Sequence, residues 1–235
     1  MKLRNLYKSI ALAGIMALPA TAAELEIKVT NLTHGNYFTP ILAAAHDNEL
    51  HLFQSGEKAT AELQAMAEGG AITGLATTVK AAAGVTAEDP AGGLLAPNTK
   101  TETFELDSGD NTHLSLVAMM LPTNDAFIGL DAWKIPTEPG TYTLNVNAYD
   151  AGTEANDELV VGMPGGAPGT AGIPVAPGGD AGTGGTGFAN TASNENVHIH
   201  PGVVGDTDAN GGLSDLDSRI HRWLNPVARI VVTVK

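Results

Sequence analysis

Residues 140 to 150 read "GTYTLNVNAYD", and their alternation constrains the fold more than any other stretch. Thr141, Thr143, Asn145 and Asn147 alternate with Tyr142, Leu144 and Val146. Successive side chains of a strand point to opposite faces, so this segment has one polar and one apolar face. Other stretches share the character. "ELEIKVTNLT" sets Leu25, Ile27 and Val29 against Glu and Lys, and "DAFIGLDAW" and "ARIVVTVK" read as further strands. "TKTETFELDSGDNTHLSLVAMML" places two apolar runs around "DSGDN", which predicts a hairpin. Strands at short intervals, separated by turn residues, predict an antiparallel β-sandwich.

One segment departs from this pattern. In "EKATAELQAMAEGG", Ala59, Leu63, Met66 and Ala67 fall at helical spacing, and Gly69 and Gly70 stop the helix. The following "ITGLATTVKAAAGV" either extends that helix or begins a strand. Residues 162 to 187 are too rich in Gly and Pro to pack as strand or helix. A linker between two domains is one reading. The 48 residues beyond it hold little core besides the last strand, so we expect a surface loop within one domain, residues 24–235.

The N-terminus carries Lys2, Arg4 and Lys8, then the apolar "SIALAGIMALPA" and the small residues "ATAAE". This is the three-part pattern of a signal peptide, residues 1–23, with cleavage after Ala22 or Ala23. We therefore expect an exported protein, periplasmic or extracellular, with no membrane span once the signal is removed. The net charge of −14 disfavours a nucleic-acid partner, since phosphate binding rests on Lys and Arg. Cysteine is absent. A chain of this length buries enough apolar surface to fold without disulfides.

The chemistry-bearing residues are mostly acids. The stretch "NAYDAGTEANDE", residues 147 to 158, holds Asp150, Glu154, Asp157 and Glu158 and no Lys or Arg. Asp150 either ligates a cation or caps an Asx turn. Asp131, Glu154, Asp157 and Glu158 read as solvated rim. His198 and His200 in "VHIHPG" share one face of a strand. With His46 they form the alternative reading, a periplasmic copper- or zinc-binding protein. No nucleophile elbow, "HExxH" or "GxxxxGK[ST]" occurs, and aromatics are too few for a sugar-cleaving cleft, so we expect no enzyme.

Four segments together resemble the spondin domain of F-spondin and mindin, a module also found in bacterial exported proteins. They are "LPTNDAFIGLDAW" (121–133), "YDAGTEAND" (149–157), the stretch from "AAAHDNELHLF" to "AMAEGG" (43–70) and the closing "LNPVARIVVTVK". The resemblance implies an eight-stranded antiparallel β-sandwich with calcium at one end. It also implies cell-surface or matrix adhesion, through an extracellular protein or glycan. Carried over residue by residue, the metal carboxylates are Asp125, Asp150 and Glu105, with Asp107 as competitor for the third. Calcium takes 6 to 8 oxygens, so its carboxylates must converge from separate loops. Gly152 lets the chain turn sharply after Asp150. The sequence departs from the family at Ala126, where the family has Trp, and in lacking the family's cysteines.

Overall fold

The computed structural model describes residues 22–161, 169–177, 179, 182–188 and 194–235. The expected signal peptide lies outside the described residues except for its last two positions, and the Gly/Pro-rich stretch is described in part. Ten strands and two helices occur among the described residues. In chain order they are β1 (Glu24–Asn31), β2 (Tyr37–Phe38), β3 (Leu42–His46), α1 (Ala61–Gly69), α2 (Thr73–Ala81) and β4 (Val85–Glu88), followed by β5 (Phe104–Asp107), β6 (His113–Leu121), β7 (Ala126–Lys134), β8 (Gly140–Asp150), β9 (His198–Ile199) and β10 (Ala228–Val234). No helix among the described residues is long and apolar enough to cross a membrane.

The strand pairing is antiparallel throughout. Eight strands follow the order β4-β3-β6-β7-β8-β10-β1-β5, with β2 added to β6 and β9 to β8. The expected sandwich of two separate sheets is replaced by one curled sheet whose end strands, β4 and β5, come into contact. The cause is the length of β8. Residues 140–146 of β8 pair with β10, while residues 147–150 pair with β7. One strand shared between both halves carries the sheet round towards a barrel.

The expected β5–β6 hairpin does not form. β5 pairs with β1 at one end of the path, while β6 lies between β3 and β7. The "DSGDN" stretch does turn, Asn111 N–H donating to Ser108 C=O at 3.0 Å, but it joins strands that are not neighbours.

Two apolar clusters sit on opposite faces of the sheet. Inside the curl, Leu25, Ile27 and Val29 of β1 meet Leu114, Leu116 and Ala118 of β6, Ile128 of β7 and Ile230 and Val232 of β10. On the outer face Leu42, Val117, Met119 and Phe127 are covered by Leu63 and Met66 of α1 and Leu75 and Val79 of α2. This explains why β6 reads as an almost unbroken apolar run: both of its faces are buried. A single short helix is expected; there are two. The first has a side-chain cap, Thr60 Oγ1 accepting from Leu63 N–H at 3.1 Å, and ends at Gly70 in the left-handed region. The second starts at Ile72 with no side-chain cap, so it leaves little local signal.

Candidate cation site

The loop between β6 and β7 and the end of β8 lie side by side, because Ala126 pairs with Asp150. Thr123 braces the first of these, its Oγ1 accepting from Ala126 N–H at 3.1 Å. Asp125 and Asp150 are thereby brought together, 0 % and 2 % exposed. Gly152, at φ +71°, folds the chain after Asp150 back over Asp125. A Cβ there would strike the backbone of Glu195 and Asn196, so only glycine fits.

The two carboxylates are held differently. Asp125 Oδ2 accepts from Thr153 N–H (2.8 Å), Thr153 Oγ1 (3.2 Å) and Glu154 N–H (3.1 Å). Asp125 Oδ1 is buried and has no hydrogen-bond partner among the described residues. Burial and then the neighbouring Asp150 charge push the Asp125 carboxyl up to about 7, against the pull of its three donors. Asp150 Oδ1 accepts from Gly152 N–H at 2.8 Å, the Asx turn, and Oδ2 accepts from Asn156 Nδ2 at 2.7 Å. The turn thus occupies one oxygen, and the other faces a polar cluster.

That cluster includes two histidines. His198 Nε2 and His200 Nε2 lie 3.7 and 3.8 Å from Asp150 Oδ2. His200 Nδ1 accepts from Gly202 N–H, so in the neutral ring Nε2 carries the proton, towards Asn156 Oδ1 at 3.3 Å. Burial pushes His200 down to about 4, keeping it neutral. His198 is the reverse: Nδ1 faces Asn196 C=O at 2.8 Å, leaving Nε2 its lone pair. His46 is far from both. It sits at the other end of β6, opposite His113, with its ring nitrogens engaged by Asp47 C=O and Ser115 Oγ.

Glu105 is not brought to this end of the sheet. It is exposed on β5 opposite Glu26, which pairs in turn with Thr233, and Thr233 with Thr141 of β8. From Thr141 to Asp150 is roughly 30 Å of strand at about 3.3 Å per residue. Asp107 lies on the same strand and accepts from Gly109 N–H at 2.9 Å.

Of the four acids expected on a solvated rim, Glu154 and Glu158 are buried instead, and Asp131 and Asp157 are half-buried. Glu154 is 7 % exposed and Glu158 3 %. Glu158 accepts from Gly205 N–H at 2.8 Å and from Ser214 Oγ at 2.6 Å. Asp131 is bound to His51 Nδ1 at 2.8 Å, and Asp157 Oδ1 accepts from Asn124 Nδ2 at 2.9 Å. Asn124, unremarked in the sequence, is 2 % exposed, and its Nδ2 also bonds Glu154 Oε2 at 3.3 Å. Its place beside Asp125 in "TNDAF" was the available signal.

Residues 30–158, which contain both aspartates and the helices, match the Spondin_N family model. The chain belongs to the spondin N-terminal domain family. The match ends before β9 and β10, so two strands that complete this spondin domain's sheet lie beyond it. No curated protein matches the chain. Beyond the matched residues the chain also contains "DTDANGGLSDLD", residues 206–217, whose Asp-x-Asp-x-Asn-Gly start has calcium-loop spacing. Its acids are spent otherwise. Asp206 takes the backbone N–H groups of Asp208, Leu213 and Ser214, and Asp217 pairs with Arg219. Among the described residues no three His, Cys, Asp or Glu side chains stand as a finished metal-ligand set.

Proposed function

We propose that this spondin domain is a non-catalytic, exported binding module whose Asp125–Asp150 end takes up calcium. The observation that carries the reading is a pair of buried carboxylates from adjacent strands, with one oxygen, Asp125 Oδ1, left unpartnered. Neither makes an ion pair with Lys or Arg among the described residues. Buried like charges repel, and a cation or a proton must offset them. The surroundings favour calcium, because they are rich in oxygen: two carboxylates, Thr153 Oγ1 and the Asn156 amide. Asp125 and Asp150 would hold the ion, which would supply positive charge and fix the two loops.

The adhesive part of the reading rests on the family resemblance and on the exposed surface. Ile199, Val204, Leu213, Ile220 and Leu224 are all more than 40 % exposed and fall within 26 residues of sequence. A contiguous apolar patch on a surface is the usual mark of a place that meets a partner, and this segment supplies the exposed apolar side chains for one. We assign the extracellular protein or glycan contact to this region.

Calorimetric titration of calcium into the metal-free protein tests the reading. Heat of binding and a higher melting temperature, reversed by chelator, are expected, and Asp125→Asn should abolish both. No heat and no shift would sink it. A second reading, a copper or zinc site, is favoured by one observation, the approach of His198 and His200 to Asp150. It would require His200 to give up its Gly202 bond. Zinc titration of the His198→Ala variant separates the two, because calcium binding should survive that change.

A further inference from the structure

We propose that the outer face of β1 around Thr30 is a docking site for an anionic polysaccharide, held by Lys28, Lys100 and Arg229. The site stands apart from the calcium reading and does not depend on it. Thr30 pairs with Arg229 of β10 on one side and with Lys100 on the other. Directly opposed residues of an antiparallel pair project on the same face, with Cα atoms about 4.5–5.5 Å apart. Lys28, two positions before Thr30 on β1, shares that face at roughly 7 Å. Leu25, Ile27 and Val29 fill the inner cluster, so this face is the outer one. Three cations thus surround a single threonine, in a chain with 26 acids against 12 bases.

None of the three is neutralised within the fold. Lys58, Lys80, Arg219 and Lys235 each sit in an ion pair; Lys28, Lys100 and Arg229 make none among the described residues. Like charges on neighbouring strands repel, and an anion laid across them removes that cost. The acids close by do not take its place. Glu26, two positions before Lys28, is held by Lys235 at 2.7 Å, and Glu102, two after Lys100, pairs with none of the three. Acids farther off are screened beyond about 8 Å at physiological salt, so the net charge of −14 does not govern this patch. The neighbours select the occupant. On β8, Asn145 lies opposite Arg229, and Thr143 lies opposite Val231; both β8 side chains are exposed. The cations are therefore bordered by amide and hydroxyl groups, which match the hydroxyls of a sugar chain. None of these positions carries an aromatic ring on which a nucleic-acid base would stack. Their one apolar side chain, Val231, is half-buried and offers a lipid surface little to hold. A sulfated or carboxylated sugar chain suits both parts of the face.

Calorimetric titration of dextran sulfate into the protein, at low salt and in chelator, tests this, with neutral dextran as the control. Chelator keeps the result separate from the calcium site. Binding to dextran sulfate alone is expected, weakening as salt is added. Each of Lys28→Gln, Lys100→Gln and Arg229→Gln should weaken it by about two- to fivefold, the scale of an exposed ion pair, and the triple variant by about tenfold or more. The triple variant should melt no lower than the wild type, because it relieves repulsion among like charges. A double variant, Lys134→Gln with Arg222→Gln, removes two other cations that make no ion pair among the described residues and should bind as the wild type does. No binding by the wild type, or equal weakening in the double and triple variants, would overturn the proposal. So would tighter binding to phosphatidylglycerol vesicles or to polyglutamate that the triple variant loses, since the face would then belong to a membrane or an acidic peptide.

Discussion

Asp125 concentrates the physics of the site in one side chain. One oxygen has three donors and the other has none among the described residues. Burial, and then the neighbouring Asp150 charge, makes stability depend on pH through this group. The unfolded carboxyl titrates near 3.8 and the folded one near 7, so the folded state holds the extra proton between those values. The contribution to stability is full below the lower value and is lost as pH rises through the upper one. Glu154, also pushed up to about 7 by burial, acts in the same direction, and His200 in the opposite one. Comparison with Asp125→Asn isolates the aspartate, because Asn keeps an acceptor for the residue 153–154 amides and cannot ionise. In chelator, the wild type should lose stability relative to Asp125→Asn between pH 5 and pH 8, as read from urea midpoints. Saturating calcium should remove that loss.

Among the elements, α1 is the one whose start is written locally. Thr60 caps it, and Thr60→Ala should cost about 1 kcal/mol, measured by urea unfolding. Its neighbour α2 lacks such a cap, and Gly74, Thr77 and Thr78 weaken its pattern, so only packing of Leu75 and Val79 on the sheet decides it. Strands with one wet face, β1 and β8, could be read from alternation. The pairing could not, because hydrogen-bonded neighbours such as β1 and β10 are some two hundred residues apart. The same limit governed the site. Asp125 and Asp150 are at the ends of adjacent strands, so strand boundaries sufficed to place them together. Glu105 reads as a ligand only through a hairpin between β5 and β6, and the sheet separates those strands. Glu154 and Glu158 looked like solvated acids because burial by the chain from 169 onward, through Gly172, Gly205 and Ser214, leaves no trace in the local pattern.

At the scale of the whole molecule, the sheet is closed by residues outside the family match. β10 pairs with β1 on one side and with β8 on the other, seven register positions on each. It buries Ile230 and Val232 in the inner cluster. A chain ending before Ala228 should therefore lose its cooperative unfolding transition and go to the insoluble fraction, as seen by circular dichroism and by recovery after centrifugation. The central place of β10 also sets an order in time. Seven residues at the far end of the sequence must arrive before the two longest exposed edges, those of β1 and β8, can find their partner. Without β10, the β1–β5 pair and the strands from β4 to β8 are two separate pieces of sheet. A fold closed by a strand so remote in sequence from its neighbours is one of high contact order, and its last step is a long-range pairing rather than a local one.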